Sequence, residues 1–167
     1  LIVIHPQIGI WFNSDSTGQW RQLAGILPGL DTNGLESAYS AGAHTVLVTG
    51  YGSPIHYKIN ATGTVTRMQD APVNLGIGNS VIVADPISGK FLVLAGNYNA
   101  PHTDESFWEY DITTDSWLQL WATGQPNTPL FFTTSLSPVF YTACAPVPNY
   151  GVSMCISFNY TSSQVLL

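Results

Sequence analysis

Nine consecutive residues, Asn97 to Glu105, hold the densest local set of chemically capable side chains in this 167-residue chain. His102, Asp104 and Glu105 could bind polar groups or sugar hydroxyls, and Tyr98 offers a ring on which a sugar could stack. The same stretch also reads as a long solvated loop with ordinary charges. Trp121 opens a second segment, running to Ser135, that also holds Phe131 and Phe132. Exposed aromatics there would mark a recognition surface, and buried ones would wedge between layers. Glycosidase chemistry needs two carboxyls facing each other across a bond. The ten acidic residues are scattered, so the fold itself would have to assemble such a pair. The four histidines, His5, His44, His56 and His102, show no spacing that converges imidazoles on one metal ion. No phosphate loop, zinc spacing, nucleophile elbow or calcium loop is present. Catalytic residues are therefore unassigned, and neither a metal site nor a cofactor is expected.

Charge narrows the partners. The four formal cations are Arg21, Lys58, Arg67 and Lys90, against ten carboxylates, for a net charge of −6. Displacing counterions from nucleic acid needs a basic surface, so nucleic-acid binding is set aside. An anionic membrane surface is disfavoured for the same reason. No apolar run reaches the length of a membrane span. Scarce lysine, abundant Ser, Thr and Asn, and two sequons, at Asn60 and Asn159, point to a secreted glycoprotein. The first residues, Leu1 to Ile4, lack the charged start and cleavage site of a signal peptide, and with no initiator Met this N-terminus reads as processed, cut or incomplete. Cys144 and Cys155 flank the turn Pro148–Gly151, placed either for a cross-strand bridge or as two small buried thiols.

The elements that would position these residues repeat. Four windows of fourteen residues, Ile10–Leu23, Ile55–Met68, Phe107–Leu120 and Met154–Leu167, begin 45, 52 and 47 residues apart. Each opens apolar, crosses a Ser/Thr/Asn/Gly turn and closes apolar. Thr17, Thr62 and Thr114 coincide without gaps, as do Trp20, Val65 and Trp117. That period suits a four-stranded propeller blade. Alternation of Trp108, Tyr110 and Ile112 with Glu109 and Asp111 predicts a strand packed on one face. Further strands are expected over Thr45–Thr49, Ser80–Ala84 and Phe91–Ala95, with a turn at Asp85–Gly89 between the last two. In the last window Tyr150-Gly151-Val152 matches Ser88-Gly89-Lys90 better, which makes Gly151–Phe158 a second strand and Gln164–Leu167 a third. Helix should be nearly absent.

The expected architecture is an all-β propeller arc of about three and a half four-stranded blades. Residues 1–167 form one partial domain with blades at about 1–23 (partial), 35–68, 79–120 and 137–167 (partial). The chain enters at the second strand of one blade and leaves at the third strand of another, for about fourteen strands. An open arc leaves edges and faces bare. A homodimer or the rest of a longer propeller should therefore complete the ring. Two copies would bring about twenty-eight strands, the number in seven blades of four.

Tyr110-Asp111-Ile112-Thr113-Thr114-Asp115-Ser116-Trp117 resembles the kelch signature of Tyr-Asp, two residues, Thr, two residues and Trp. The resemblance implies a Trp packed between sheets and a Thr that orders the turn. The glycine pair expected before this strand reads Ala95-Gly96-Asn97, and the blade over 35–68 offers Thr49-Gly50-Tyr51-Gly52, with Val65 in place of Trp. The chain thus looks like the divergent kelch propellers of galactose-oxidase-like and other secreted fungal proteins. Ser14 to Trp20 is also similar to the Asp-box turn of sialidase-type propellers, with its Gly one position late. The leading functional expectation is a non-catalytic recognition module that binds glycan or protein through the loop face. Alternatives are part of a glycan-active or galactose-oxidase-like copper enzyme, for which His56-Tyr57 is the nearest local match, or a self-associating matrix protein.

Overall fold

A computed structural model describes residues 2–5, 9–14, 16–31, 34–96, 105–124, 126, 142–158 and 163–166. Tyr98, His102, Asp104, Phe131, Phe132 and Asn159 lie outside the described residues. The described residues form four antiparallel sheets of consecutive strands, and the only helical element among them is the 3-10 turn Pro148–Tyr150. Sheet 1 holds β1 (Ile2–His5), β2 (Gly9–Asn13) and β3 (Trp20–Ala24). Sheet 2 holds β4 (Glu36–Ser40), β5 (Thr45–Thr49), β6 (His56–Asn60) and β7 (Val65–Arg67). Sheet 3 holds β8 (Ser80–Ala84), β9 (Phe91–Ala95), β10 (Ser106–Asp111) and β11 (Ser116–Ala122). Sheet 4 holds β12 (Thr142–Val147), β13 (Val152–Phe158) and β14 (Ser163–Leu166).

The strands form where β-branched and aromatic residues run between turn-formers. Strand β8 reads Ser-Val-Ile-Val-Ala and is buried along its whole length. Such an unbroken apolar run belongs to a strand covered on both faces. Ile82 and Ala84 face sheet 2 with Phe91, Val93 and Tyr110, while Val81, Leu94 and Trp121 face sheet 4. The period of two thus divides one strand between two cores. Burying side chains such as Phe91 or Leu47 contributes about 1.5–3 kcal/mol each.

The first strands of sheets 2, 3 and 4 lie side by side. Ser40 Oγ donates to the Gly89 carbonyl at 2.5 Å, and Ser153 Oγ donates to the Ala84 carbonyl at 3.1 Å. A Cβ on Gly42 would stand 3.0 Å from Gly89 Cα, so successive hairpin turns nearly touch there. Hairpin turns fill one end of each sheet. In sheet 2, residues 50–55 and 68–79 fill the other.

Among the described residues the strands are divided three, four, four and three. Among the described residues no helix is long and apolar enough to cross a membrane.

Candidate functional site

The loop end of sheet 2 is built from two crossing segments. Residues 68–79, which lead from sheet 2 to sheet 3, run across residues 50–55. Met68 N–H donates to the His56 carbonyl (3.1 Å) and Ala71 N–H to that of Pro54 (2.9 Å). Gly52 N–H donates to Leu75 O and Leu75 N–H to Ser53 O, both at 3.0 Å. A fully buried Leu75, with Ala71 and Met68, pins this strap into the core between sheets 2 and 3. Close approach requires glycine. Gly76 has φ +87°, and a Cβ there would lie 2.4 Å from the Gly50 carbonyl oxygen. A Cβ on Gly34 would lie 2.8 Å from that of Tyr51. The result is a firm backbone platform from which Tyr51 (43% exposed) and Ile77 (52% exposed) project.

Two of the loop-face residues read from sequence fall among the described ones, and both are buried. Glu105 is 4% exposed, and its carbonyl accepts the N–H (2.9 Å) and the hydroxyl (3.1 Å) of Thr123. It closes the base of the β10–β11 hairpin. Trp121, 7% exposed, packs with Val81, Leu94, Phe107 and Cys144. It acts as a wedge between sheets 3 and 4 and presents almost no surface. Cys144 and Cys155 face each other across β12 and β13 and are disulfide-bonded.

Asn60 is exposed at the other end, as the last residue of β6 before the β6–β7 turn. Its Oδ1 accepts hydrogen bonds from Thr62 N–H (3.1 Å), Thr62 hydroxyl (2.7 Å) and Thr64 N–H (2.8 Å).

Sequence reasoning missed two polar centres at the junction of sheets 2 and 3. Glu36, at the head of β4, reaches across to β8. Its Oε1 accepts from Ile82 N–H at 2.8 Å and its Oε2 from the Ser80 hydroxyl at 3.0 Å. Burial of the carboxyl pushes its pKa up to about 7, against the opposing pull of those two donors. Nothing marks Glu36 among ten dispersed acids, because its partners are about 45 residues downstream in another sheet.

His56 is fully buried and stands edge-on to Tyr110 (5.0 Å) and Trp117 (5.6 Å), which stack on each other at 4.4 Å. Its Nδ1 donates to the Pro54 carbonyl at 3.1 Å, which fixes the neutral tautomer. Burial pushes its pKa down. Tyr110 donates its hydroxyl to Asp115 Oδ1 at 2.8 Å, and burial, then that bond, raise its pKa. Asp115, at φ +55°, also accepts Gln69 N–H on Oδ2 at 3.0 Å and so ties sheet 3 to the strap. One signal could have separated His56 from Tyr57. Neighbours in a strand point to opposite faces, and the Tyr57 hydroxyl donates instead to the Pro28 carbonyl, on the sheet 1 side, at 2.8 Å. Among the described residues no three His, Cys, Asp or Glu side chains cluster as a metal ion would require.

No family model matches the chain, and no curated protein does. Solved structures do. A chain in the crystal structure of a nidogen/laminin complex matches with a TM-score of 0.57 at 13% identity, over 95% of this chain. An auxiliary nutrient binding protein from Bacteroides thetaiotaomicron matches with a TM-score of 0.56 at 10% identity, over 98% of this chain. This chain spans only 52% and 36% of those two chains. At such identities the likeness is one of fold, and the fold is an open arc of β-propeller blades.

Proposed function

We propose that this chain is part of a secreted, kelch-like propeller that recognises a protein or a glycan through the loop end of its blades. The observation that carries the reading is the glycine-built platform of residues 34, 50 and 76, which holds Tyr51 and Ile77 out in solvent on a backbone that is already ordered. Preordered surfaces lose little conformational freedom on binding, and exposed aromatics supply large contact area. The kelch reading is supported by the motif region itself. Asp111 Oδ1 accepts the N–H groups of Thr113 (2.9 Å) and Thr114 (3.3 Å), which orders the turn, and Trp117 packs between sheets 2 and 3. The Cys144–Cys155 bond suits an oxidising, extracellular setting, and the exposed Asn60 turn suits a glycosylated one. Further sequence or a second chain completes the ring. The solved neighbours include a component of a protein complex and a nutrient-binding protein, which favours a binding role in general.

The test is binding of labelled chain to arrays of glycans and of secreted proteins, beside a Tyr51→Ser, Ile77→Ser double variant. Binding that is lost in the variant supports the loop-end reading. Binding that persists undiminished, on either array, places recognition elsewhere and sinks it.

A further inference from the structure

The junction between sheets 1 and 2 carries a second site, at the opposite end from the strap. In sheet 3, Tyr110 pairs with Trp117 across the outer hairpin, and the two rings fill the junction with sheet 2. The pair in the same place on sheet 2 is Ile59 and Val65. Ile59 occupies less of the space towards sheet 1 than a ring would, and it lines a cleft of about 160 Å³ there. A cavity of about 150 Å³ holds one benzene molecule, so the cleft has room for one ring.

Its lining is not apolar throughout. Phe12, Leu23 and Ile59 form the apolar part, and Arg21, His44 and Asn60 form the polar part, with no carboxylate among the lining residues. The Arg21 guanidinium sits over the Phe12 ring, 5.9 Å from its centroid. Arg67 and Lys90 are held in ion pairs with Asp70 and Glu109, whereas among the described residues Arg21 has no ion-pair partner. In a chain of net charge −6, an unneutralised guanidinium beside a ring-sized apolar space is complementary to a ligand with both features. Gly63 closes one wall. At φ +84°, a Cβ there would stand 2.9 Å from Leu23 Cδ2 and 3.5 Å from an Arg21 nitrogen, so the turn lies directly against β3.

We propose that this cleft binds a small, single-ring aromatic carboxylate. The ring lies among Phe12, Leu23 and Ile59, in the place that an aromatic side chain fills one junction further on. The carboxylate pairs with Arg21, whose planar fork matches two carboxylate oxygens. A neutral ring forgoes the ion pair, and an aliphatic acid forgoes the ring contacts.

The test is an amide-resolved NMR titration with benzoate, using benzamide and acetate as controls, on the chain and on Arg21→Gln. Arg21 is exposed, so the variant keeps its fold and melting temperature. The expected result is saturable benzoate shifts centred on residues 12, 21, 44 and 59. The variant should bind benzoate about tenfold more weakly, and benzamide equally in both proteins. The inference fails if the shifts centre elsewhere, if benzamide or acetate matches benzoate, or if Arg21→Gln leaves benzoate affinity unchanged. Loop-end variants at Tyr51 and Ile77 leave this titration untouched, so the two sites stand or fall separately.

Discussion

Two adjoining junctions built from the same repeat are filled in different ways. Between sheets 2 and 3, a stacked Tyr110–Trp117 pair, a buried His56 and the Glu36 bridge join the sheets, and Asp115 adds a bond to the strap. Between sheets 1 and 2 the core is aliphatic, made of Ile10, Leu27, Leu30, Val48 and Ile59 with Tyr57, and a cleft remains at its turn end. One difference lies in the outer hairpins, where Ile59, which lines the cleft, stands in the place that Tyr110 takes in sheet 3. A repeat fold can thus tighten one junction and open its neighbour by exchanging rings for aliphatic groups.

The sharpest way to break this comparison is to remove a ring from the filled junction. Trp117→Ala should destabilise the chain by about 3 kcal/mol, since it deletes the stacking partner of Tyr110 and the cover of His56. Val65→Ala, at the paired position of the open junction, should cost about 1 kcal/mol. Thermal unfolding measures both, at roughly 2–4 °C per kcal/mol for a chain of this size. Equal losses would mean that the two junctions are packed alike at this paired position.

Much of the framework was legible from residues alone. Thr45–Thr49, Ser80–Ala84 and Phe91–Ala95 are strands over those same residues, because each is a short β-branched run bounded by turn-formers. The shifted reading of the last window also agrees with the structure, with strands at Val152–Phe158 and Ser163–Leu166. A single residue misled the alignment. Without gaps, Lys58 stands opposite Tyr110, yet the pairing puts Ile59 there, because the β6–β7 turn is one residue shorter than the β10–β11 turn. That offset conceals which side chains are equivalent, and with it the origin of the cleft. The polar centres were less legible still. Glu36 finds Ile82, and Asp115 finds Gln69, each 46 residues away. No local pattern encodes such a meeting, which depends on how one sheet stacks on the next. Trp121 shows the same limit, since type alone does not tell an exposed aromatic from a wedge.

A smaller effect sharpens the electrostatic side of the comparison. The folded-state pKa of Glu36, raised by burial to about 7 from 4.5, means that the folded chain keeps a proton which the unfolded chain loses between those values. Stability from this group is therefore fully present below about pH 4.5 and is lost as pH rises through about 7. His56 acts in the opposite sense. Its folded pKa lies below 6.5, so its contribution is present above that pH and is lost as pH falls. Glu36→Gln removes only the first slope. The stability difference, variant minus wild type, should rise by about 2 kcal/mol between pH 4.5 and 7 in denaturant titrations. A flat difference would show that the Glu36 carboxyl is solvated, and that the bridge to Ser80 and Ile82 forms no enclosed contact between the inner strands.

The finest distinction concerns whether the filled junction is held by rings alone. Asp115 accepts the Tyr110 hydroxyl and Gln69 N–H on separate oxygens, and its left-handed backbone tolerates Asn well. Tyr110→Phe removes one donor and leaves the ring stack in place. Asp115→Asn keeps the shape but removes the charge and turns one accepting oxygen into an NH2 donor, so that if Gln69 N–H keeps its acceptor the Tyr110 hydroxyl must reverse and accept. Each should cost about 1 kcal/mol. In the double variant the losses should fall short of additive by several tenths of a kcal/mol, because the hydrogen bond is shared. Strict additivity in denaturant unfolding would mean that the Tyr110–Asp115 bond contributes nothing. The contrast between the junctions would then reduce to ring volume alone, and an aromatic pair placed at Ile59 and Val65 should suffice to convert one junction into the other.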